Sequence, residues 1–81
     1  MIYVVGGNYR EGVNWLADQA RDGSLTPIET KEAVIVTNTE RLRGRRFDNA
    51  ADRVVFVGEW SWRKDINEIW DILRTMGWED A

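Results

Sequence analysis

Three short apolar runs interrupt the otherwise polar chain: IYVV near the start, VIV in the middle and VVFV further on. Each run is continuous rather than alternating, and β-branched residues dominate all three. Such runs are typical of parallel strands that are covered on both faces. The pattern therefore predicts strands near residues 2–5, 33–37 and 54–57.

Two longer segments repeat apolar residues at helical spacing. In the first, near residues 9–22, Asn8 and Glu11 have the spacing of a capping box, and Gly23 suits the end of the helix. The second, near residues 62–76, has a continuous apolar face. Its predicted N-cap is Ser61 and its predicted end is Gly77, with Trp70 in the core.

Two shorter segments carry weaker helical signals. Thr26, Pro27 and Glu29 have the composition of a helix start, but few residues follow before the next strand, so a single turn is predicted. Residues 39–43 are predicted to form a short helix that ends at Gly44.

The element order is strand, helix, strand, short helix, strand, helix, within a single domain of residues 1–81. With right-handed crossovers, this order predicts a minimal three-layer α/β fold, in which helices cover both faces of a three-stranded parallel sheet. Both edges of such a sheet are open, which favours a homodimer or the docking of another protein.

Composition limits the chemistry. The 81 residues include no cysteine and no histidine, so no thiolate or imidazole is available as a metal ligand or nucleophilic partner. Neither serine has a recognisable base, and Glu59 is the one carboxylate expected in a cleft. We therefore expect that the protein is not an enzyme and that it binds no cofactor and no metal.

No apolar run approaches the ~20 residues of a bilayer span, and no signal peptide is apparent. The expected location is the cytoplasm.

The turn after the first strand is the first candidate site. Parallel strands gather their carboxyl ends at one rim, where open α/β sheets bind ligands, and free N–H groups at a helix start favour an anion. Residues expected at this rim are Gly6, Gly7, Asn8, Asn38 and Arg41. The glycines could serve such an anion, or they could only permit a tight turn.

Part of the chain is similar to a known fold family. Gly7 and Gly12 have the spacing of a phosphate-binding loop, although Val13 and Asn14 replace its lysine and hydroxyl residue. The run RVVFVGEW resembles the strand that ends in Asp-Glu in phosphate-loop NTPases, with Gly58 in place of the magnesium-binding aspartate. The chain thus resembles a trimmed, degenerate phosphate-loop NTPase or Rossmann-like core. Its size and style also resemble small proteins encoded by phages of actinobacteria. The first resemblance implies nucleotide or nucleic-acid binding at the glycine turn without hydrolysis; the second implies a phage accessory or host-modulating protein.

Charge and aromatic content indicate a second candidate site. Residues 41–64 carry seven basic and three acidic groups, whereas the chain as a whole has a net charge of −3. Arginine clusters bind phosphate and carboxylate groups. Exposed tryptophan beside arginine is typical of interaction hot spots. Predicted partner-binding residues are Arg41, Arg43, Arg45, Arg46, Trp60 and Trp62.

The charge cluster and the tryptophans each leave alternatives open. The arginines could pair internally with Glu40, Asp48 and Asp52, bind an acidic protein, or bind nucleic acid, which the acidic net charge disfavours. The tryptophans could simply cover a small core. The leading interpretation is a noncatalytic protein-interaction module with a protein partner, such as a host protein.

Overall fold

A computed structural model describes residues 1–79 of the chain. The elements, in chain order, are β1 (Ile2–Gly6), α1 (Tyr9–Asp22), α2 (Pro27–Glu32), β2 (Val34–Ile35), a 3₁₀ turn (Thr39–Arg41), β3 (Arg53–Val57), a second 3₁₀ turn (Trp60–Trp62) and α3 (Ile66–Met76). The fold is α/β, as predicted.

The sheet has the strand order β2-β1-β3, and both pairs are parallel. β1 lies in the centre and all five of its residues are buried. β2 is shorter than the predicted 33–37. The Val36 N–H donates to the Val4 carbonyl of β1 at 2.9 Å. The next N–H, that of Thr37, instead donates to the Ile35 carbonyl of its own strand at 3.0 Å. This three-residue turn takes the chain out of the ladder.

Each face of the sheet has its own core. On one face, Ile2 and Val4 pack with Leu16 of α1 and with Leu25. On the other, Tyr3 and Val5 pack with α3 and with the long connection between β2 and β3, whose Leu42 is fully buried. The alternation of side chains along β1 therefore supplies both cores from one strand.

The helix ends follow the sequence signals in part. Asn8 caps α1, since its Oδ1 accepts the Glu11 N–H at 3.0 Å. Gly23 and Gly77 end α1 and α3 in the left-handed conformation, with φ of 81° and 110°. The predicted capping box at α1 is incomplete, because the Glu11 carboxylate accepts from Gly7 instead.

The bounds of two helices differ from the prediction. α3 begins at Ile66 rather than near residue 62, and Ser61 lies inside a 3₁₀ turn instead of capping the helix. Arg63 is extended, with φ −67° and ψ 137°, so no helix can run through it. α2 is longer than a single turn, because Thr26 and Glu29 form a complete capping box.

The predicted short helix at residues 39–43 is reduced to the 3₁₀ turn Thr39–Arg41. Gly44 follows shortly after it with a φ of 75°. Across residues 1–79, no helix combines the length and the apolar character needed to cross a membrane.

Candidate functional site

The carboxyl ends of the strands form a small cleft. Its volume is about 380 Å³, and its lining residues are Gly7, Asn8, Tyr9, Thr37, Arg63, Lys64 and Asp65. Two residues of the predicted anion site, Gly7 and Asn8, line this cleft, and Gly6 is buried at the end of β1. Asn38 and Arg41 are exposed at and within the 3₁₀ turn and are not among the lining residues.

The Gly7 N–H at the glycine turn and the Glu59 N–H after β3 share one acceptor. Glu11 Oε1 accepts from the Gly7 N–H at 2.7 Å, and both carboxylate oxygens accept from the Glu59 N–H at 3.2 Å. Gly58 has a φ of 59°, and a Cβ there would overlap the same carboxylate. The protein therefore places its own carboxylate beside Gly7, one of the residues of the predicted anion site. Glu11 links the turn after β1 to the turn after β3.

Arg63 joins the carboxyl ends of β1 and β2. Its Nη1 donates to the carbonyls of Gly6 at 3.1 Å and Val36 at 2.6 Å, and its Nη2 donates to the Thr37 carbonyl at 3.0 Å. Nε and Nη2 also donate to the two carboxylate oxygens of Asp65, at 2.9 and 3.0 Å. Because all five guanidinium N–H bonds have acceptors, and the side chain is only 9% exposed, Arg63 holds the rim together rather than offering a free cation.

The carboxyl group of Asp65 is affected by this arrangement. The hydrogen bonds from the Arg63 side chain hold the pKa of Asp65 below its usual 3.8, and the positive charge of Arg63 adds to the effect against the opposing effect of desolvation. Asp65 is therefore ionised at neutral pH as the fixed partner of Arg63. Within the cleft, the exposed cationic side chain is that of Lys64.

A larger groove runs between the arginine segment and the end of α3. We call it the arginine groove; its volume is about 1080 Å³, and it is lined by Leu42, Arg43, Gly44, Arg45, Arg46, Phe47, Asp48, Ile72, Thr75, Met76 and Gly77. Leu42, Phe47 and Met76 are buried core residues, so the floor of the groove is apolar. Exposed arginines border this floor, which makes the groove both apolar and positively charged.

The arginines of the groove differ in their contacts. Arg43 pairs with Glu40 at 2.8 Å, as predicted, and approaches Glu68 at 3.9 Å. Arg45 Nε donates to the Arg41 carbonyl at 2.8 Å, which leaves the rest of its guanidinium without a carboxylate partner among residues 1–79. Arg46 has no ion pair within the same range.

The predicted acidic partners Asp48 and Asp52 have other roles. Asp48 accepts from the Ala50 N–H, and Asp52 pairs with the amino group of Met1 at 3.0 Å. Within residues 1–79, internal ion pairing thus accounts for Arg43 but not for Arg41, Arg45 or Arg46.

The tryptophans separate into two kinds. Trp60, Trp70 and Trp78 are half-buried around Phe56, with ring centroids 4.9, 5.3 and 5.9 Å from it. Trp60 and Trp78 pack against the core, whereas Trp70 stacks on Phe56 and is only half-buried instead of lying in the core as predicted. Trp62 is 83% exposed.

Trp62 and the arginine groove lie at opposite ends of the sheet. Trp62 follows the carboxyl end of β3, whereas Arg45 Nη1 lies 3.8 Å from Sδ of Met1, at the amino end of β1. The structure therefore brings Arg43, Arg45 and Arg46 together in one groove, but it does not bring Trp60 and Trp62 into that groove.

Glu11 and Arg63 hold the rim together, and sequence reasoning identified neither of them as a site residue. Glu11 carried a signal, its spacing from Asn8, but that signal predicted a cap rather than a bridge between two loops. Arg63 carried no such signal, because a lone arginine before a helix gives no indication that its side chain will reach buried carbonyl acceptors.

Compared with known protein families, curated proteins and solved structures, the chain gives no match. Its function therefore has to be inferred from the geometry of its own residues.

Proposed function

We propose that this chain is a noncatalytic protein-interaction module that docks an acidic protein segment with apolar side chains in the arginine groove. The observation that carries the proposal is the combination, within one groove, of an apolar floor and cations that have no carboxylate partner among residues 1–79. Leu42 and Phe47 contribute to the floor, and Arg45 and Arg46 border it. Interfaces commonly pair an apolar centre with a charged rim, and arginine is enriched in them.

Charge favours an acidic protein over nucleic acid. The groove is positive, but the chain has a net charge of −3, whereas domains that bind nucleic acid are commonly basic overall. The apolar floor also matches leucine or phenylalanine side chains better than a phosphate backbone. A guanidinium can bind a carboxylate through two parallel hydrogen bonds, which gives orientation as well as attraction.

The alternative is nucleotide or nucleic-acid binding at the Gly6–Gly7 turn. It has less support, because the Glu11 carboxylate accepts from the N–H groups of Gly7 and Glu59 that an anion would need. A carboxylate at that position also repels phosphate. Lys64 supports this alternative, because it is an exposed cationic side chain that lines the cleft.

The noncatalytic part of the proposal is supported by the state of the carboxylates near the rim. Glu11 is held by backbone N–H groups and Asp65 by Arg63, so neither is available as a general base. Glu59, the carboxylate expected in a cleft, is exposed and does not line the cleft. Within residues 1–79, no group of three acidic, histidine or cysteine side chains could hold a metal ion. The resemblance to phage proteins suggests a host protein as the source of the acidic segment.

The test is a fluorescence anisotropy titration with a labelled peptide in which glutamate and leucine alternate. We expect saturable binding, and we expect Arg46→Glu to weaken it by about tenfold or more because an attractive contact becomes repulsive. Arg10→Glu, which makes the same charge change on an exposed position of α1, is the matched control and is expected to have little effect.

Two results would count against the proposal. The first is equal weakening by Arg46→Glu and Arg10→Glu, which would indicate attraction by net charge alone. The second is binding of a short single-stranded DNA with no binding of the peptide, which would favour the nucleic-acid alternative. A peptide with glutamine in place of glutamate shows whether the carboxylates contribute, and loss of affinity is expected.

A further inference from the structure

The outer edge of β3 has no neighbouring strand. β3 pairs with β1 on one side, and within residues 1–79 the sheet ends there. Residues 54–57 are all half-buried, whereas every residue of the equally apolar β1 is buried. The difference reflects the open side of β3. A five-residue edge of this kind is about 17 Å long and presents backbone donors and acceptors along its length.

This edge lacks the features that commonly prevent strand pairing. Apart from Arg53 at its start, β3 contains no charged residue and no proline. Phe56 is fixed by the aromatic rings around it, including a stacked contact with Trp70 at an interplanar angle of 11°. An apolar edge without proline or an interior charge is a template for a further strand.

The two ends of the edge carry opposite charges. Arg53 begins the strand and Glu59 follows its end, and both are exposed. Arg53 borders a hollow that also contains Glu29 and Glu32, but among residues 1–79 neither Arg53 nor Glu59 has an ion pair. Antiparallel pairing of two copies places the start of one strand beside the end of the other. Arg53 of each copy then lies close to Glu59 of the other, whereas parallel pairing brings like charges together.

We propose that the β3 edge is a homodimer interface, at which two copies pair antiparallel about a two-fold axis to form a continuous six-stranded sheet. A two-fold interface uses the same patch on both copies, so the Arg53 and Glu59 contact occurs twice. The edge strand is a different surface from the arginine groove, so this proposal does not depend on the proposed function.

The test is sedimentation equilibrium of the full chain from micromolar to submillimolar concentration. A dimer with twice the monomer mass of 9.4 kDa is expected. Arg53→Glu and Glu59→Arg are each expected to weaken dimerisation about fivefold, since each replaces two attractive contacts per dimer with repulsive ones. The double variant that exchanges the two charges is expected to recover the affinity of the parent.

Circular dichroism confirms that each variant is folded, and Arg46→Glu is the control of matched charge away from the edge. A monomer at every concentration overturns the proposal. So does a dimer that the charge exchange does not restore, or one that Arg46→Glu weakens as much as Arg53→Glu, because the contact would then lie elsewhere.

Discussion

Replacing Arg63 with methionine tests the role of its guanidinium, because methionine keeps much of the length and apolar contact of the side chain. The substitution leaves the carbonyls of Gly6 and Val36 without a donor at partly buried positions and leaves the Asp65 carboxylate unpaired. Removing one partner of a buried ion pair costs about 3–5 kcal/mol. Since the Asp65 side chain is 31% exposed, water recovers part of this loss, and we expect about 3 kcal/mol.

The effect is large for a chain of this size. A domain of 81 residues has a free energy of unfolding of about 4–12 kcal/mol. With a urea dependence of about 1 kcal/mol per molar, a loss of 3 kcal/mol lowers the unfolding midpoint by about 3 M. Tryptophan fluorescence during urea unfolding measures this midpoint, because Trp60, Trp70 and Trp78 lie in the packed aromatic cluster.

Lys64→Met is the matched control. Lys64 is the next residue, it is exposed, and among residues 1–79 it forms no ion pair, so its replacement is expected to leave the midpoint within about 0.5 M. If Arg63→Met moved the midpoint no further than Lys64→Met does, the role assigned to Arg63 would be wrong. A shift confined to Arg63→Met supports the rim contacts described above.

The remaining predictions concern the same rim. Glu11→Ala is expected to lower the free energy of unfolding, measured in urea, by about 2 kcal/mol, because it leaves the N–H groups of Gly7 and Glu59 without their acceptor. A smaller effect than that of a typical surface substitution would contradict this prediction. Gly58→Ala is expected to destabilise the fold more than Gly44→Ala, since both have positive φ but only Gly58 faces the Glu11 carboxylate; equal thermal unfolding midpoints of the two variants would contradict it. Because the pKa of Asp65 is below 3.8 in the folded protein, its stabilising contribution is present above that pH and is lost as the pH falls through the folded pKa. Asp65→Asn should therefore reduce the loss of stability on acidification below pH 4, measured by urea unfolding across a pH series, and an unchanged slope would refute the assignment.

The fold was predictable because its signals are local. The apolar runs that became β1 and β3, the cap at Asn8 and the glycine at position 23 all act within a few residues of the chain, and the structure contains each of them. The boundary of α3 was not predictable in this way. Arg63 stays extended while its side chain bonds to carbonyls 26 to 57 residues away in sequence, and no local pattern encodes such contacts.

The candidate site likewise combines features that the sequence predicts with features that depend on contacts between distant residues. The arginine cluster is visible in the sequence, but its apolar floor is not, because Ile72 and Met76 come from α3 and meet Leu42 only after folding. Trp60 and Trp62 are adjacent in sequence to Ser61, yet one joins the core cluster and the other is exposed. Burial of neighbouring aromatic residues depends on tertiary packing, which spacing alone does not determine.

The most direct test of the proposed function is to locate the contact surface on the protein. In a ¹H–¹⁵N NMR titration with the glutamate and leucine peptide, we expect shifts at residues 42–48, 72 and 75–77, which line the arginine groove. Shifts confined to residues 7–9 and 63–65, in the cleft at the glycine turn, would contradict it.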